Sequence, residues 1–263
     1  MKHKKVYEDG IHDISNDEYH SSHGFSRTQV MLINKSPYHF WYENIAGLAS
    51  EKEKSDALDL GSAVHTMLLE PELFMKTYAV MPSINRRTTK GKEEYASFIQ
   101  EHADKIVLTQ EQYNKAYAMT HHVRQHDIVN TLLENALFEK SIYWTDEETG
   151  LQFKVRPDIW SNKMIVDLKT TKDLNPMSYS CSAHKYGYYL QCWMFFEACE
   201  AIGKPIDMFV HLVIEKEEPY VPAVFVMGEK SINFGREQFN TYKRKIKECM
   251  ETDKWPAYKV QEI

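Results

Sequence analysis

Cysteine is scarce, and none of it is arranged to pair. The chain of 263 residues holds four, Cys181, Cys192, Cys199 and Cys249, with no C-x-x-C spacing, which excludes a disulfide framework or a zinc site. Long apolar runs are also missing. Nothing approaches the ~20 residues that span a bilayer, and the opening MKHKKVYEDG leads into no apolar leader segment. A soluble, cytoplasmic protein with no membrane partner is expected. Positive charge is not in excess, since 32 Lys and Arg face 38 Asp and Glu for a net charge of -6. That excludes a protein that coats a polyanion over its whole surface, but not one with a local basic groove. Repeats, low-complexity tracts and long linkers are absent, so a single domain spanning 1–263 is expected.

What is present divides in two. From 1 to 135 the pattern is mostly helical. Ser26 is a candidate N-cap for SRTQVMLINKSPYHFWYENIAG, which Pro37 can split, and LDLGSAVHTMLLEPELFMKTY reads as a helix that breaks at Pro71. MPSINRRTTKGKEEY, residues 81–95, reads as a mobile loop, and helical spacing resumes through EEYASFIQEHA and TQEQYNKAYAMTHHVRQHDIVNTLLEN. From 136 to 263 the period shifts toward two. FEKSIYWTD and LQFKVRPDIW flank the turn-like EETG as a hairpin, SNK makes a second tight turn, and MIVDLKTT is a third strand. One long helix, SYSCSAHKYGYYLQCWMFFEACEAIG, precedes two further strands and a charged final helix. This order implies an α/β (α+β) protein with a central mixed sheet flanked by helices.

The stretch KVRPDIWSNKMIVDLKTT raises the functional question, because acids are unfavourable inside strands. Asp167 and Lys169 share one face of their strand, about 6.6 Å apart along it. If the SNK turn pairs Trp160 with Ile165, Asp158 lies opposite Asp167. Facing carboxylates repel unless a cation lies between them, and Mg²⁺ or Mn²⁺ suits such hard oxygen ligands. The alternative is a solvated sheet face on which these acids pair with Lys154 or Arg156.

Pro157 and Asp158, followed by Asp167, Leu168 and Lys169, resemble the PD-(D/E)xK nuclease motif. The motif is short, but it has company. Gly61 to His65, GSAVH, resembles the G-x-x-x-H motif of the RecB-like branch, and Tyr189 with Gln191 resembles that branch's later helix motif. Glu139 is placed like a further acid of these folds. LGSAVHTMLLEPELF, TDEETGLQFKVRPD and VDLKTT resemble RecE-type recombination exonucleases over most of the chain, from about Tyr19 onward. Taken singly each residue has a plainer role: His65 as a packed helix residue, Tyr189 and Gln191 as helix packing, Glu139 as a solvated strand end, Lys169 as a snorkelling lysine.

The resemblance implies a restriction-endonuclease-like core and hydrolysis of DNA phosphodiesters with Mg²⁺, for which Mn²⁺ can substitute. His65, Asp158, Asp167 and the Leu168 carbonyl would hold the metal. Lys169 would position the attacking water, with Glu139, Tyr189 and Gln191 supporting the site. An iron–sulfur cluster is not expected, since no cysteine precedes Asp158. Processive 5′-to-3′ digestion of duplex ends, a toroidal tetramer, a RecT-like annealing partner and a phage or prophage origin also follow from it. Arg86, Arg87, Lys90, Lys92 and Arg156 are candidate DNA contacts, as is the helix run Lys243, Arg244, Lys245 and Lys247. An endonuclease, another RecB-like repair nuclease, or an inactive DNA-binding module remain as alternatives.

Overall fold

The computed structural model describes residues 4–49 and 56–258. A short strand β1 (Gly10–His12) precedes helices α1 (Asn16–Ser21), α2 (Arg27–Lys35), α3 (Pro37–Phe40), α4 (Asp56–Leu69) and α5 (Pro71–Thr77). Strand β2 (Tyr78–Val80), helix α6 (Thr89–Glu101), strand β3 (Ile106–Leu108) and helices α7 (Gln110–Val123) and α8 (Asp127–Leu133) follow. Then come β4 (Leu137–Phe138), β5 (Ser141–Thr145), β6 (Gln152–Val155), β7 (Ile159–Ser161) and β8 (Met164–Thr171). Helices α9 (Pro176–Lys185) and α10 (Tyr188–Ala201), strands β9 (Met208–Glu215) and β10 (Pro222–Val226), and α11 (Glu229–Thr252) complete the order.

The architecture is mixed α/β, with helices covering a five-stranded mixed sheet in the order β10-β9-β8-β7-β4. Its parallel pair, β8 with β9, is joined through α9 and α10, because parallel neighbours need a crossover. Side-chain alternation gives the two faces different helices. Val166, Leu168, Val210 and Leu212 pack in one core with Val64 and Leu68 of α4 and Met119 of α7. Ile165 and Phe209 pack in another with Leu190, Met194 and Phe195 of α10 and Phe239 of α11. A separate three-stranded sheet, β1-β5-β6, and a small parallel pair, β2 with β3, lie outside the main sheet.

Local signals set the boundaries. Ser26 precedes α2, where its backbone N–H donates to Gln29 Oε1 at 2.9 Å. Pro37 and Pro71 each open a new helix at its first turn, where a missing N–H costs nothing. The SNK turn pairs Trp160 with Ile165, with Asn162 in the left-handed region that a two-residue hairpin turn demands.

Four expectations are corrected. The stretch 81–95 is loop only in its first half, because the Thr88 hydroxyl accepts from the Gly91 N–H at 3.0 Å and starts α6. Residues 109–135 form two helices rather than one. The stretch 151–160 is not one strand either, since the chain leaves the small sheet after Val155 and enters the large one at Ile159. Lys154 is consequently buried in the small sheet, donating to Tyr19 O, Ser22 O and Ser22 Oγ, and does not share a solvated face with Asp158. The long helix expected at 178–203 breaks at Gly187, whose φ is +69° and where a Cβ would come within 2.2 Å of Met31 Sδ.

Candidate active site

The site forms where β7 begins, between the end of α4 and the middle of β8. Pro157 and the change of sheet deliver Asp158 there, and its Oδ2 accepts the Leu168 N–H at 2.7 Å. This cross-strand bond fixes one carboxylate against the neighbouring strand. From α4, His65 Nε2 lies 3.1 Å from Asp158 Oδ2, and its Nδ1 lies 3.3 Å from Glu139 Oε1. Glu139 follows β4 in a left-handed backbone conformation (φ 53°), and Arg156 Nε holds its other oxygen at 2.6 Å. His65, Glu139 and Asp158 therefore present one donor atom each, all within 4.8 Å of one another.

Asp167 lies beside this trio on β8, 1% exposed. Gln191 Nε2 of α10 donates to its Oδ1 at 2.7 Å, while Oδ2 is ion-paired with Lys169. Tyr188 flanks the lysine, whose Nζ sits 5.2 Å from the ring centroid. His211, the β9 residue in register with Asp167, brings Nε2 to 3.7 Å from the same Oδ2.

Electrostatics show how crowded the charges are. Burial alone would lower the pKa of His65, but Asp158 and Glu139 outweigh it and hold the group up at about 9. Burial and the Asp158 charge push Glu139 up to about 7 against the pull of His65 and Arg156. Burial also raises Asp167, with the Asp158 charge adding to it and Lys169 opposing. Asp158 is lowered despite its burial, because His65 and Lys169 favour its ionised form. Two carboxylates and an imidazole that converge under this strain fit a divalent cation, which replaces the proton and relieves the repulsion.

The structure thus brings together His65, Asp158, Asp167, Leu168, Lys169, Glu139 and Gln191 from widely separated segments. The converging donor trio contains Glu139, while Asp167 stands next to it in its own ion pair. Leu168 enters through its backbone, its side chain lying in the core. Tyr189 is turned elsewhere, its hydroxyl 3.2 Å from Ser180 Oγ and its ring against Phe234; Tyr188 takes the position beside the site. Arg156 is corrected as a DNA contact, because its guanidinium faces inward to Glu139, Ser141 Oγ and Ile14 O. Arg86 stacks over Tyr95 at 4.1 Å and Lys90 pairs with Glu94 at 3.8 Å, while Arg87 and Lys92 are exposed on the α6 approach. In the α11 run Lys243 is buried on Asp146, while Arg244, Lys245 and Lys247 stay at the surface in ion pairs with acids of the protein itself. Sequence reasoning missed Tyr188, His211 and Arg27, whose positive charge favours the ionised form of Asp167. The signal for His211 was there, since it interrupts the apolar strand MFVHLVIE just as Asp167 interrupts its own.

A family model described as "PDDEXK-like domain of unknown function (DUF3799)" matches residues 26–262, and the chain belongs to that family. The fold is shared with the crystal structure of a "Putative exonuclease" from Eubacterium rectale, at a TM-score of 0.61 and 13% identity over 95% of this chain and 97% of that one. A phage related exonuclease from Haemophilus somnus 129PT overlaps more loosely, at a TM-score of 0.35 and 14% identity over 88% and 97% of the two chains. No curated protein matches the sequence. Among the described residues no helix is long and apolar enough to cross a membrane.

Proposed function

We propose that this protein is a divalent-metal-dependent DNA nuclease that works inward from duplex ends. The observation that carries the reading is the convergence of His65, Glu139 and Asp158 beside the Asp167–Lys169 pair. A binding module needs no such arrangement, and leaving it without a cation crowds like charges in a buried place. His65, Glu139 and Asp158 would hold the cation, with Asp167 and the Leu168 carbonyl at its edge. When bound, that cation supplies charge neutralisation at the scissile phosphate and a lowered pKa for water.

The chain's own groups do the rest. The Leu168 N–H holds Asp158 Oδ2 and Gln191 holds Asp167 Oδ1, which orients both carboxylates in advance. Burial would lower the Lys169 pKa, but Asp167 and Asp158 raise it, so the ammonium stays charged over the working pH range. It is placed to orient water and to stabilise negative charge developing on the phosphate. Arg156 and Gln191 act at one remove, by fixing the acids.

Mg²⁺ is the metal this reading favours, with processive 5′-to-3′ digestion that leaves a 3′ single strand for an annealing protein, and a ring-shaped oligomer that encloses DNA. Linear duplex labelled separately at 5′ and 3′ ends, digested with Mg²⁺ or EDTA beside closed circles, tests it. Metal-dependent loss from 5′ ends that spares circles supports the exonuclease. Cut circles indicate an endonuclease, and intact DNA under all conditions overturns the proposal.

A further inference from the structure

The Asp167 carboxylate has an asymmetric environment. Oδ1 is held by Gln191, but Oδ2 depends on Lys169, the group that must turn toward water and phosphate when the site works. Once Lys169 turns, Oδ2 is left in a buried place. A donor then within reach is His211, whose Nε2 lies 3.7 Å from Oδ2 and which pairs in register with Asp167 across the parallel strands.

His211 has no other evident employment. It is 0% exposed, and neither ring nitrogen has a hydrogen-bond partner among the described residues. Its surroundings are aromatic: Phe209 edge-on at 5.0 Å, Tyr188 at 5.0 Å and Tyr179 at 5.8 Å. An imidazole whose two nitrogens are both unpaired costs stability that leucine or phenylalanine at this position would not. A neutral imidazole in this place offers one N–H and no competing charge. Aromatic rings pack around the imidazole, and its Nε2 lies 3.7 Å from the carboxylate.

We propose that His211 is a positioning residue for Asp167, donating its Nε2–H to Oδ2 when Lys169 engages the substrate. It completes a clamp whose other jaw is Gln191, one from the strand floor and one from the covering helix. The role rests on the nuclease reading above. Partners of this kind, set behind the reacting groups, typically change activity by about 10- to 100-fold.

Two measurements test it. In the first, His211→Phe and His211→Gln are compared with the wild type on end-labelled duplex, with melting curves alongside. We expect His211→Phe to melt no lower than the wild type and to lose about 10- to 100-fold in kcat at unchanged KM, and His211→Gln, which keeps a donor, to recover part of that loss. A folded His211→Phe with wild-type kcat overturns the proposal. If His211→Phe does not fold, a His211→Gln protein that folds yet shows no activity above the Lys169→Ala background overturns it equally. In the second, imidazole ¹⁵N spectra are recorded without metal or DNA for the wild type, Asp167→Asn and Lys169→Ala. The Nε2–H tautomer is expected, with an Nε2 resonance that moves in both variants; an Nδ1–H tautomer, or indifference to Asp167→Asn, overturns it. This readout stands even if no DNA is cut, so failure of the nuclease reading and failure of the His211 role are told apart.

Discussion

Two buried charge networks among the described residues are built to opposite rules. At the foot of the β5–β6 hairpin, Lys243 of α11 reaches Asp146 at 2.6 Å and Glu197 at 3.6 Å. Thr149 donates to Asp146 from both hydroxyl and backbone, and Trp193 Nε1 donates to Glu197 at 2.7 Å. Every charge there has an opposite charge or a directed donor. Around Asp158 and Asp167, by contrast, carboxylates crowd one another, a histidine faces two of them, and buried atoms of Gln191 and His211 have no partner among the described residues. A satisfied network holds a helix to a hairpin. An unsatisfied one reserves its capacity for something that arrives from outside.

The contrast can be broken most severely at the second site. Lys169→Ala or Asp158→Ala should lower cleavage by at least about a hundredfold in a protein that still folds, Lys169→Ala at some cost in melting temperature because it leaves Asp167 buried without its ion pair. Loss of activity that merely follows loss of fold would erase the distinction. At the first site Lys243→Ala should do the reverse. It strands Asp146 and Glu197 in a buried place, so a destabilisation of about 3–5 kcal/mol is expected, with wild-type cleavage well below the melting point. Chemical denaturation with a parallel digestion assay checks both halves.

Proton linkage separates the networks a third time. His65 is raised from 6.5 to about 9, so its contribution to the metal-free fold is present below 6.5 and lost as pH rises through about 9. Glu139, raised from 4.5 to about 7, acts in the same direction over a lower range. Burial would raise Asp146, but bonds from Lys243 and Thr149 hold it below 3.8, so its contribution is present above 3.8 and lost only as pH falls through its lowered value. In EDTA the melting temperature should therefore decline between about pH 6 and about pH 9, and His65→Asn should flatten that decline. A profile identical in the variant would assign the effect elsewhere. The smallest expected effect lies outside both networks. Neutralising Arg86, Arg87 and Lys90 together should weaken DNA binding and reduce its salt slope by up to about 0.9 for each phosphate no longer neutralised; an unchanged slope would remove the α6 approach from the DNA path.

Much of this was legible in the sequence. The SNK turn was enough to pair Trp160 with Ile165 and so to bring Asp158 against β8, because a two-residue turn fixes register. The helix break at Pro71 and the strand MIVDLKTT follow from the same local rules. What local rules could not supply was the sheet change at Pro157, since a strand pattern does not announce which sheet it joins. That single unseen step misplaced Lys154 and Arg156, which periodicity put on a polar face and the structure buries. The break at Gly187 is a left-handed turn at a single glycine, and the crowding that favours glycine there comes from Met31, far away in the chain. Tyr188 and Tyr189 could not be told apart before that break set the phase of α10. Lys243 and Arg244 of α11 read as part of a basic face because the acids that neutralise them lie on other elements.

The central claim is that the crowded trio His65, Glu139 and Asp158 exists to hold a divalent cation. Titrating Mn²⁺ into the wild type and into His65→Ala, following free Mn²⁺ by electron paramagnetic resonance, tests it most directly. Stoichiometric uptake by the wild type and its loss in a folded His65→Ala protein is the predicted result. Equal uptake by both, or none by the wild type, would contradict it.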